Sequence, residues 1–460
     1  LKMKGIRMFN CETEFLKFYS KHVVLSQKEQ NELREKKQIN IDRLKKGLKK
    51  LNLDNNTNYR IAETRTQGSM SMHTVVQNDA KEYDIDIAIV FDNENIDGIG
   101  PLSTRNIVAK ALSKETHMFS EPPEVKTSCV RLKYSNGYHI DFAIFKRNKD
   151  LFSDNYTYEH AGALWTQRDV KLLEKWFTEN LTEKGDNFRK IIRLLKMFCK
   201  SRDYWGNMPS GLVITLLVNE CFDFYHENID EQFYYTLMNI KNRLKLNLEV
   251  FAPFDNNRKI TTRQSDLDCN ARLYNKLDKY LKQLNILFES SCDKSCALEV
   301  WKEFFNHDYW NEASMQDRLG NRRYSFDNTE EFIEDKYTIL EKYYLKLDCI
   351  VSESGSRDRK LKDYLEKNFY SKFNIIPKKR KLKCSIQSTD CPSYDKVLWK
   401  VRNIGEEAEK RNCIRGQILQ RGIKIEEPTV FKGNHYIECY LIKNNICVAI
   451  GHLEVPIGDI

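Results

Sequence analysis

Two aspartates, Asp84 and Asp86, stand one residue apart in the run Tyr83-Asp-Ile-Asp-Ile-Ala-Ile-Val-Phe-Asp92, with Tyr83, Ile85, Ile87, Ile89 and Phe91 on the alternate positions. A period of two marks a β-strand and sends both carboxylates to one face. Carboxylates held side by side repel unless a cation lies between them, and hard oxygen donors suit a divalent metal. A third acid, Asp141, interrupts the apolar run from His139 to Phe145, and a carboxylate inside a buried strand needs a partner. Gly68-Ser69 precedes Asp84 by a spacer of fourteen residues; its glycine lets phosphate approach the backbone and its serine offers a hydroxyl at a helix start. If the two acidic strands are neighbours, Asp84, Asp86 and Asp141 form a cage for two Mg²⁺ ions, with Mn²⁺ as a substitute. One ion would activate an attacking hydroxyl and the other would neutralise a leaving pyrophosphate. Gln67, just before the turn, faces either a bound ligand or the turn itself.

The elements that must carry these residues follow from pattern. Residues 12–50, rich in Glu, Lys and Leu, predict one or two long helices, with Lys45, Lys46, Lys49 and Lys50 as a solvated face. Asn58 to Thr66 predicts a short strand leading into the turn, and Ser103 to Ser113 a capped helix. Val125 to Tyr134 and Tyr138 to Phe145 are extended runs separated by Ser135-Asn136-Gly137, a hairpin signal that makes them antiparallel neighbours. From about Thr166 to about Asn368 the period is helical, ending in helices at Asn328 to Leu347 and Arg359 to Asn368. Ser210 stands where it would cap the apolar helix Leu212 to Glu220. Ser371 to Pro392, with its basic run Pro377 to Lys381, reads as a linker. Short strands return at Val397 to Ile404, Ile414 to Ile418, His435 to Ile442 and Ile446 to Ile450. The expected division is a catalytic lobe with N-terminal helices over 1–190, a helical lobe over 191–370, a linker over 371–392 and a small β domain over 393–460.

At 460 residues the chain can bury a large core, and 75 Lys and Arg against 66 acids, a net charge of +9, lean mildly toward polyanionic ligands. No apolar run approaches the roughly 20 residues of a membrane span. Met3 to Asn10 holds no signal-peptide core, so a cytoplasmic protein without membrane attachment is expected. Thirteen cysteines without a dense framework fit a reducing compartment. Cys292-x3-Cys296 and Cys384-x6-Cys391 lack a second ligand pair at finger-like spacing. Plainer readings compete with the sharp ones: an exposed pair for Asp84 and Asp86, an Arg or Lys partner for Asp141, a surface charge for Lys196, and a simple helix cap for Ser210.

Gly68-Ser69, the spacer, Asp84-Ile-Asp86-Ile and Asp141 on a later strand resemble the polymerase-β-type nucleotidyltransferase signature. The variant is similar to the CD-NTase (SMODS) family, the bacterial dinucleotide cyclases related to cyclic GMP-AMP synthase and oligoadenylate synthase. Arg193-Leu-Leu-Lys196 followed by Pro209-Ser210-Gly211 resembles that family's Lys and Ser pair for the donor triphosphate. The tail, with Trp399 to Asn403, Arg415-Gly416-Gln417 and His435 to Tyr440, resembles the adenylyl/guanylyl and SMODS C-terminal sensor domain. The resemblance implies an α/β, polymerase-β-like nucleotidyltransferase with a helical lobe and a small C-terminal, mainly β domain. It implies attack of a ribose hydroxyl on the α-phosphate of ATP, GTP or another nucleoside triphosphate, repeated to give a cyclic di- or trinucleotide. Asp84, Asp86 and Asp141 would be the catalytic metal ligands; Gly68, Ser69, Lys196 and Ser210, with Gln67 beside them, would bind the nucleotide. An anti-phage role through a separate effector is also implied. The zinc-binding insertion of the animal DNA sensor is lacking, so no DNA is expected to be required for activation. The rival expectations are a linear-chain or RNA nucleotidyltransferase of the same fold, and a nucleotide-loaded switch that binds partners.

Overall fold

Two helices open the chain, α1 (Glu12–Phe18) and α2 (Gln27–Asn55). The structure, a computed structural model, describes residues 7–77, 83–150, 155–311, 329–333, 336–353, 355, 357–365 and 375–458. It resolves into two units, each gathered from separate stretches: residues 1–26, 74–83 and 171–322 in one, and 27–73, 84–170 and 323–460 in the other.

The second unit begins with α2, whose Leu33, Ile41, Leu44, Leu48 and Leu51 recur at helical spacing and are buried. Beside α2 a seven-stranded sheet forms from β1 (Ile61–Gln67), β2 (Asp84–Asp92), β3 (Glu124–Val125), β4 (Val130–Lys133), β5 (His139–Lys149), β6 (Tyr156–Ala161) and β7 (Trp165–Gln167). Its order is β1-β2-β5-β4-β3, with β6 on β5 and β7 on β6; β2 and β5 run parallel. A one-turn helix α3 (Gly68–Ser71) follows β1, and α4 (Pro101–Ser113) packs on α2. A Cβ on Gly47 of α2 would lie 1.9 Å from the carbonyl oxygen of Ala111 in α4, so only glycine permits that approach. Along β2, Ile87 to Phe91 are buried on both faces, and burial of each such side chain stabilises by about 1.5–3 kcal/mol. The strand emerges at its two ends, with Asp84 and Asp86 at the first and Asp92 at the last.

The first unit is helical: α1 with α5 (Leu172–Lys184), α6 (Asp186–Lys200), α7 (Gly211–Cys221), α8 (Ile229–Leu246), α9 (Gln264–Gln283) and α10 (Lys294–Phe305), and a hairpin of β8 (Phe251–Ala252) and β9 (Asp255–Lys259). Its core is aromatic. Phe15 of α1 meets Trp301 edge-on at 4.6 Å between centroids, and Phe18, Phe233, Phe305 and Trp310 close around them.

The chain then returns to the second unit as two further sheets. One has the order β10-β19-β18-β15-β16 with β13 beside β19: β10 (Thr338–Ile339), β13 (Ile376–Pro377), β15 (Lys396–Arg402), β16 (Arg415–Gln420), β18 (Gly433–Lys443) and β19 (Ile446–Gly458). The other runs β12-β11-β14-β17: β11 (Leu345–Ser352), β12 (Arg359–Lys360), β14 (Lys381–Thr389) and β17 (Lys424–Pro428). They share one core, in which Leu345, Leu347, Val351 and Leu382 face Trp399, Ile437, Leu441 and Val455. Cys349 and Cys384, opposite each other on β11 and β14, form a disulfide, so Cys384 pairs with a residue on the neighbouring strand and not with Cys391.

The expected division is corrected here. The helix expected over Asn328 to Leu347 is irregular chain, β10 and the start of β11 in its described part, and the linker expected over 371–392 contains β13 and β14. Alternation explains both. Leu345, Leu347, Cys349 and Val351 are buried while Lys346 is exposed and Asp348 half-buried, and in β14 buried Leu382 and Cys384 alternate with exposed Lys381 and Lys383. The helix expected from Arg359 is short strand β12 and a helix Leu361–Leu365; its end, with the first part of the linker, lies outside the described residues.

Arg402 and His435 are not surface groups. On the face of the six-stranded sheet away from the shared core, Lys400 lies 2.9 Å from Glu330 and 3.7 Å from Glu438, and Arg402 lies 3.3 Å from Glu330. Tyr440 donates to Glu438 at 2.7 Å, and the Glu438 carboxylate is 3.6 Å from the ring of His452. His435 is buried, accepting from the Ile404 N–H at 3.0 Å. Arg415 is half-buried in a two-pronged contact with Glu427. A second buried ion cluster ties this region to the Gly-Ser turn. Arg34 of α2 donates to Glu341 through Nε at 2.6 Å and Nη2 at 2.7 Å, and His73 Nδ1 lies 3.4 Å from the same carboxylate. Lys37, one turn along α2, donates to Thr66 Oγ1 at 3.1 Å.

Candidate active site

Strand register brings the acids together. Gln67 of β1 pairs with Asp86 of β2, Asp86 with Asp141 of β5, and Asp141 with Arg131 of β4, so four polar residues form one rung across four strands. The next rung on the same face is Asp84, His139 and Lys133. The hairpin over Ser135-Asn136-Gly137 sets the second half of this register, with Gly137 at φ +92° and the Tyr134 N–H donating to the Tyr138 carbonyl at 2.9 Å.

Gly68 is required twice. Its φ of +64° favours glycine, and a Cβ there would fall 2.0 Å from Asp86 Oδ2, so any side chain would enter the acid cluster. Ser69 lies in α3, one residue beyond this contact, and the Ser71 hydroxyl donates to the Gly68 carbonyl at 3.1 Å.

The electrostatics of the rung are uneven. Burial, then the charges of Asp141 and Asp84, push the Asp86 carboxyl up to about 6. Asp84 is mostly exposed, its side chain 60% accessible, with the His139 ring 3.4 Å away. Asp141 has an arginine partner: Arg131 donates to it through Nε at 2.7 Å and Nη2 at 2.6 Å, and Nη2 is also 3.6 Å from Asp84. The plain reading of Asp141 as an arginine-paired carboxylate therefore describes its contacts. Asp92, past the strand's buried stretch, is held by Arg147 at 2.6 Å.

Three hard carboxylate donors on one face, one of them protonating near 6, beside a glycine cradle, are a donor set that fits a divalent cation. Among the described residues no three His, Cys or carboxylate side chains stand in a ligating arrangement, and Asp141 is turned onto Arg131.

Lys196 and Ser210 belong to the helical unit. Lys196 is buried on α6, donating to the Thr74 carbonyl at 3.1 Å and hydroxyl at 2.9 Å, so it is not a surface charge. Burial, then Arg193 and Lys200, lower its ammonium to about 7. Gly211 opens space for it, since a Cβ there would meet Lys196 Cε at 3.3 Å. Ser210 is the N-cap of α7, its hydroxyl accepting from the Val213 N–H at 3.4 Å.

Two family models match: the nucleotidyltransferase domain of the cyclic GMP-AMP synthase DncV-like family over residues 62–145, and the adenylyl/guanylyl and SMODS C-terminal sensor domain over residues 327–458. A cyclic GMP-AMP synthase of Escherichia albertii is 25% identical over 407 residues, covering 85% of this chain and 83% of the relative. The chain joins a DncV-like nucleotidyltransferase domain to an adenylyl/guanylyl and SMODS C-terminal sensor domain. Such an enzyme has the fold of the dinucleotide cyclase DncV of Vibrio cholerae. The apo form matches with a TM-score of 0.52 at 18% identity, covering 65% of this chain and 96% of that one. A structure of that cyclase with the linear intermediate pppA(3′,5′)pG matches with the same TM-score, identity and coverage. Among the described residues no helix is long and apolar enough to cross a membrane.

Sequence reasoning missed two members of the CD-NTase acid cluster, Arg131 and, as a neighbour of Asp84, His139. A signal for Arg131 was present: counting outward from the Tyr134–Tyr138 pair across the hairpin sets residue 131 against 141.

Proposed function

We propose that this enzyme joins nucleoside triphosphates, ATP and GTP among them, into a cyclic di- or trinucleotide, releasing pyrophosphate at each transfer. The observation that carries this reading is the rung Gln67–Asp86–Asp141, which with Asp84 of the next rung sets three acids on one sheet face beside the glycine backbone of Gly68. Nucleotidyltransferases of this class use divalent metal ions. Asp84, Asp86 and Asp141 would hold Mg²⁺ or Mn²⁺, which would supply charge neutralisation at the phosphates and acidify the attacking hydroxyl. Gly68 and Ser69 cradle phosphate through backbone N–H and hydroxyl, Gln67 orients the nucleotide, and Lys196 and Ser210 contact the triphosphate. Asp86, with a carboxyl near 6, is largely ionised at neutral pH and ready to ligate. The E. albertii relative and the V. cholerae cyclase with a linear intermediate support a cyclic product over a growing chain. A cytoplasmic anti-phage role, with the product acting on a separate effector and no DNA needed, follows by family analogy.

Mass spectrometry of products from mixed nucleoside triphosphates with Mg²⁺ tests the proposal. Cyclic products are expected from the wild type and none from Asp84→Ala/Asp86→Ala; linear oligomers of increasing length would favour the RNA-type alternative.

A further inference from the structure

Arg131 has no role in the reaction described above, yet it makes the closest contacts in the acid cluster. Its guanidinium covers both oxygens of Asp141, at 2.7 and 2.6 Å, and reaches toward Asp84 at 3.6 Å. A carboxylate with both oxygens engaged by a planar fork has lost its best lone pairs to two charge-assisted hydrogen bonds. The fork is rigidly aimed: β4 and β5 are antiparallel through a tight hairpin, and Arg131 and Asp141 are directly opposed. The arrangement is specific to Arg131, because Lys133, two residues on and on the same face, turns instead to Glu121 at 3.0 Å and Glu124 at 3.5 Å. A cation is needed in this cluster in any state, since Asp84, Asp86 and Asp141 otherwise repel one another.

We propose that Arg131 is a built-in counter-ion that holds Asp141 in the metal-free enzyme and must release it for a divalent cation to bind, so that guanidinium and metal compete for one carboxylate. The inference rests on the three aspartates being the metal site. Arg131 is on this account a positioning residue that sets the affinity of the site: it lowers affinity for free metal ion and stabilises the protein while no metal is bound. No bond is made or broken; one set of charge-assisted contacts replaces another.

The test is Mn²⁺ binding to the full chain, by electron paramagnetic resonance and calorimetry, with thermal unfolding read alongside. Arg131→Gln is expected to bind Mn²⁺ roughly tenfold to a hundredfold more tightly than wild type, the range of a lost charge-assisted pair. It should also melt at lower temperature without metal and close that gap when Mn²⁺ is saturating. Lys133→Gln removes the same charge from the same face without freeing Asp141, and should change Mn²⁺ affinity less than threefold. In wild type, Mg²⁺ should shift the Arg131 Nε–H resonance away from its carboxylate-bonded position. Unchanged Mn²⁺ affinity in Arg131→Gln, or an equal gain in Lys133→Gln, overturns the proposal. Should Arg131→Gln not fold, Arg131→Lys is read in its place: a gain of threefold or more supports competition, and no gain overturns it. Asp84→Ala/Asp86→Ala separates the two claims. If that variant keeps wild-type Mn²⁺ binding, the metal site itself is wrong; if it loses binding while Arg131→Gln gains none, only the role of Arg131 is wrong.

Discussion

The catalytic sheet and the six-stranded sheet of the sensor region both carry charge on the face of a central strand, and they treat it in opposite ways. Around Glu438 the charge is buried among partners: against the cost of burial, His452, Lys400 and Tyr440 hold its carboxyl down to about 2. Around Asp86 three acids meet Arg131, with the charge of Arg168 also felt, yet burial and like charge raise its carboxyl to about 6, and Asp84 is left in solvent. Compensated charge marks a place where the protein is finished, and uncompensated charge marks a place that expects a ligand.

Substitutions on the two faces should therefore fail differently. Asp84→Ala/Asp86→Ala should abolish pyrophosphate release, by a hundredfold or more, while stability holds or rises because like charges are removed. A folded double mutant with wild-type turnover would break the comparison at its first term. Lys400→Met should do the converse, costing about 3–5 kcal/mol by removing the buried cation shared by Glu330 and Glu438, seen as a large drop in melting temperature. Unchanged melting would show that the sensor network is not a structural one. Lys196→Ala should weaken nucleotide binding by about 1.5–3 kcal/mol, roughly 10- to 150-fold, measured by calorimetry. The same lysine gives a pH signature. Its folded value near 7 lies below the ordinary 10.5, so the unfolded chain holds a proton that the fold excludes, and nucleotide-free stability rises with pH between those values. A triphosphate that restores the charge should take up close to one proton at pH 8, visible as buffer-dependent binding enthalpy and reduced in Lys196→Ala. Smallest is Ser210→Ala, expected to cost about 1 kcal/mol as a lost N-cap and to be restored by Ser210→Thr. Nucleotide affinity that follows stability alone would leave Ser210 as a cap only.

Much of the acid cluster was legible because it is local. The parity of Asp84 and Asp86 and the Asn136-Gly137 hairpin each depend on a few adjacent residues, and the structure keeps both. Ser210 as a cap was legible for the same reason. What failed was non-local. Lys381, Lys383 and their neighbours have the composition of a linker, and only pairing with β11 and β17 makes them a strand. Leu345 to Leu347 reads as the end of a helix because the alternation of Leu345 to Ser352 has meaning only against β14. The plainer reading of Lys196 as a surface charge fails for the same reason, since nothing in α6 itself announces the Thr74 hydroxyl and carbonyl that receive its ammonium.

Glu341 bears on how such enzymes can recombine. It lies inside the stretch matched to the sensor family, yet it is the counter-ion of Arg34 on α2 and the neighbour of His73, four residues past Ser69. A sensor grafted from a relative without an acid at this position would leave a buried guanidinium stranded against the segment that follows the Gly-Ser turn. The heritable block is then α2, the turn and the sensor together, and chimeras cut between catalytic and sensor regions should survive only when donor and recipient agree on both ends of that ion pair.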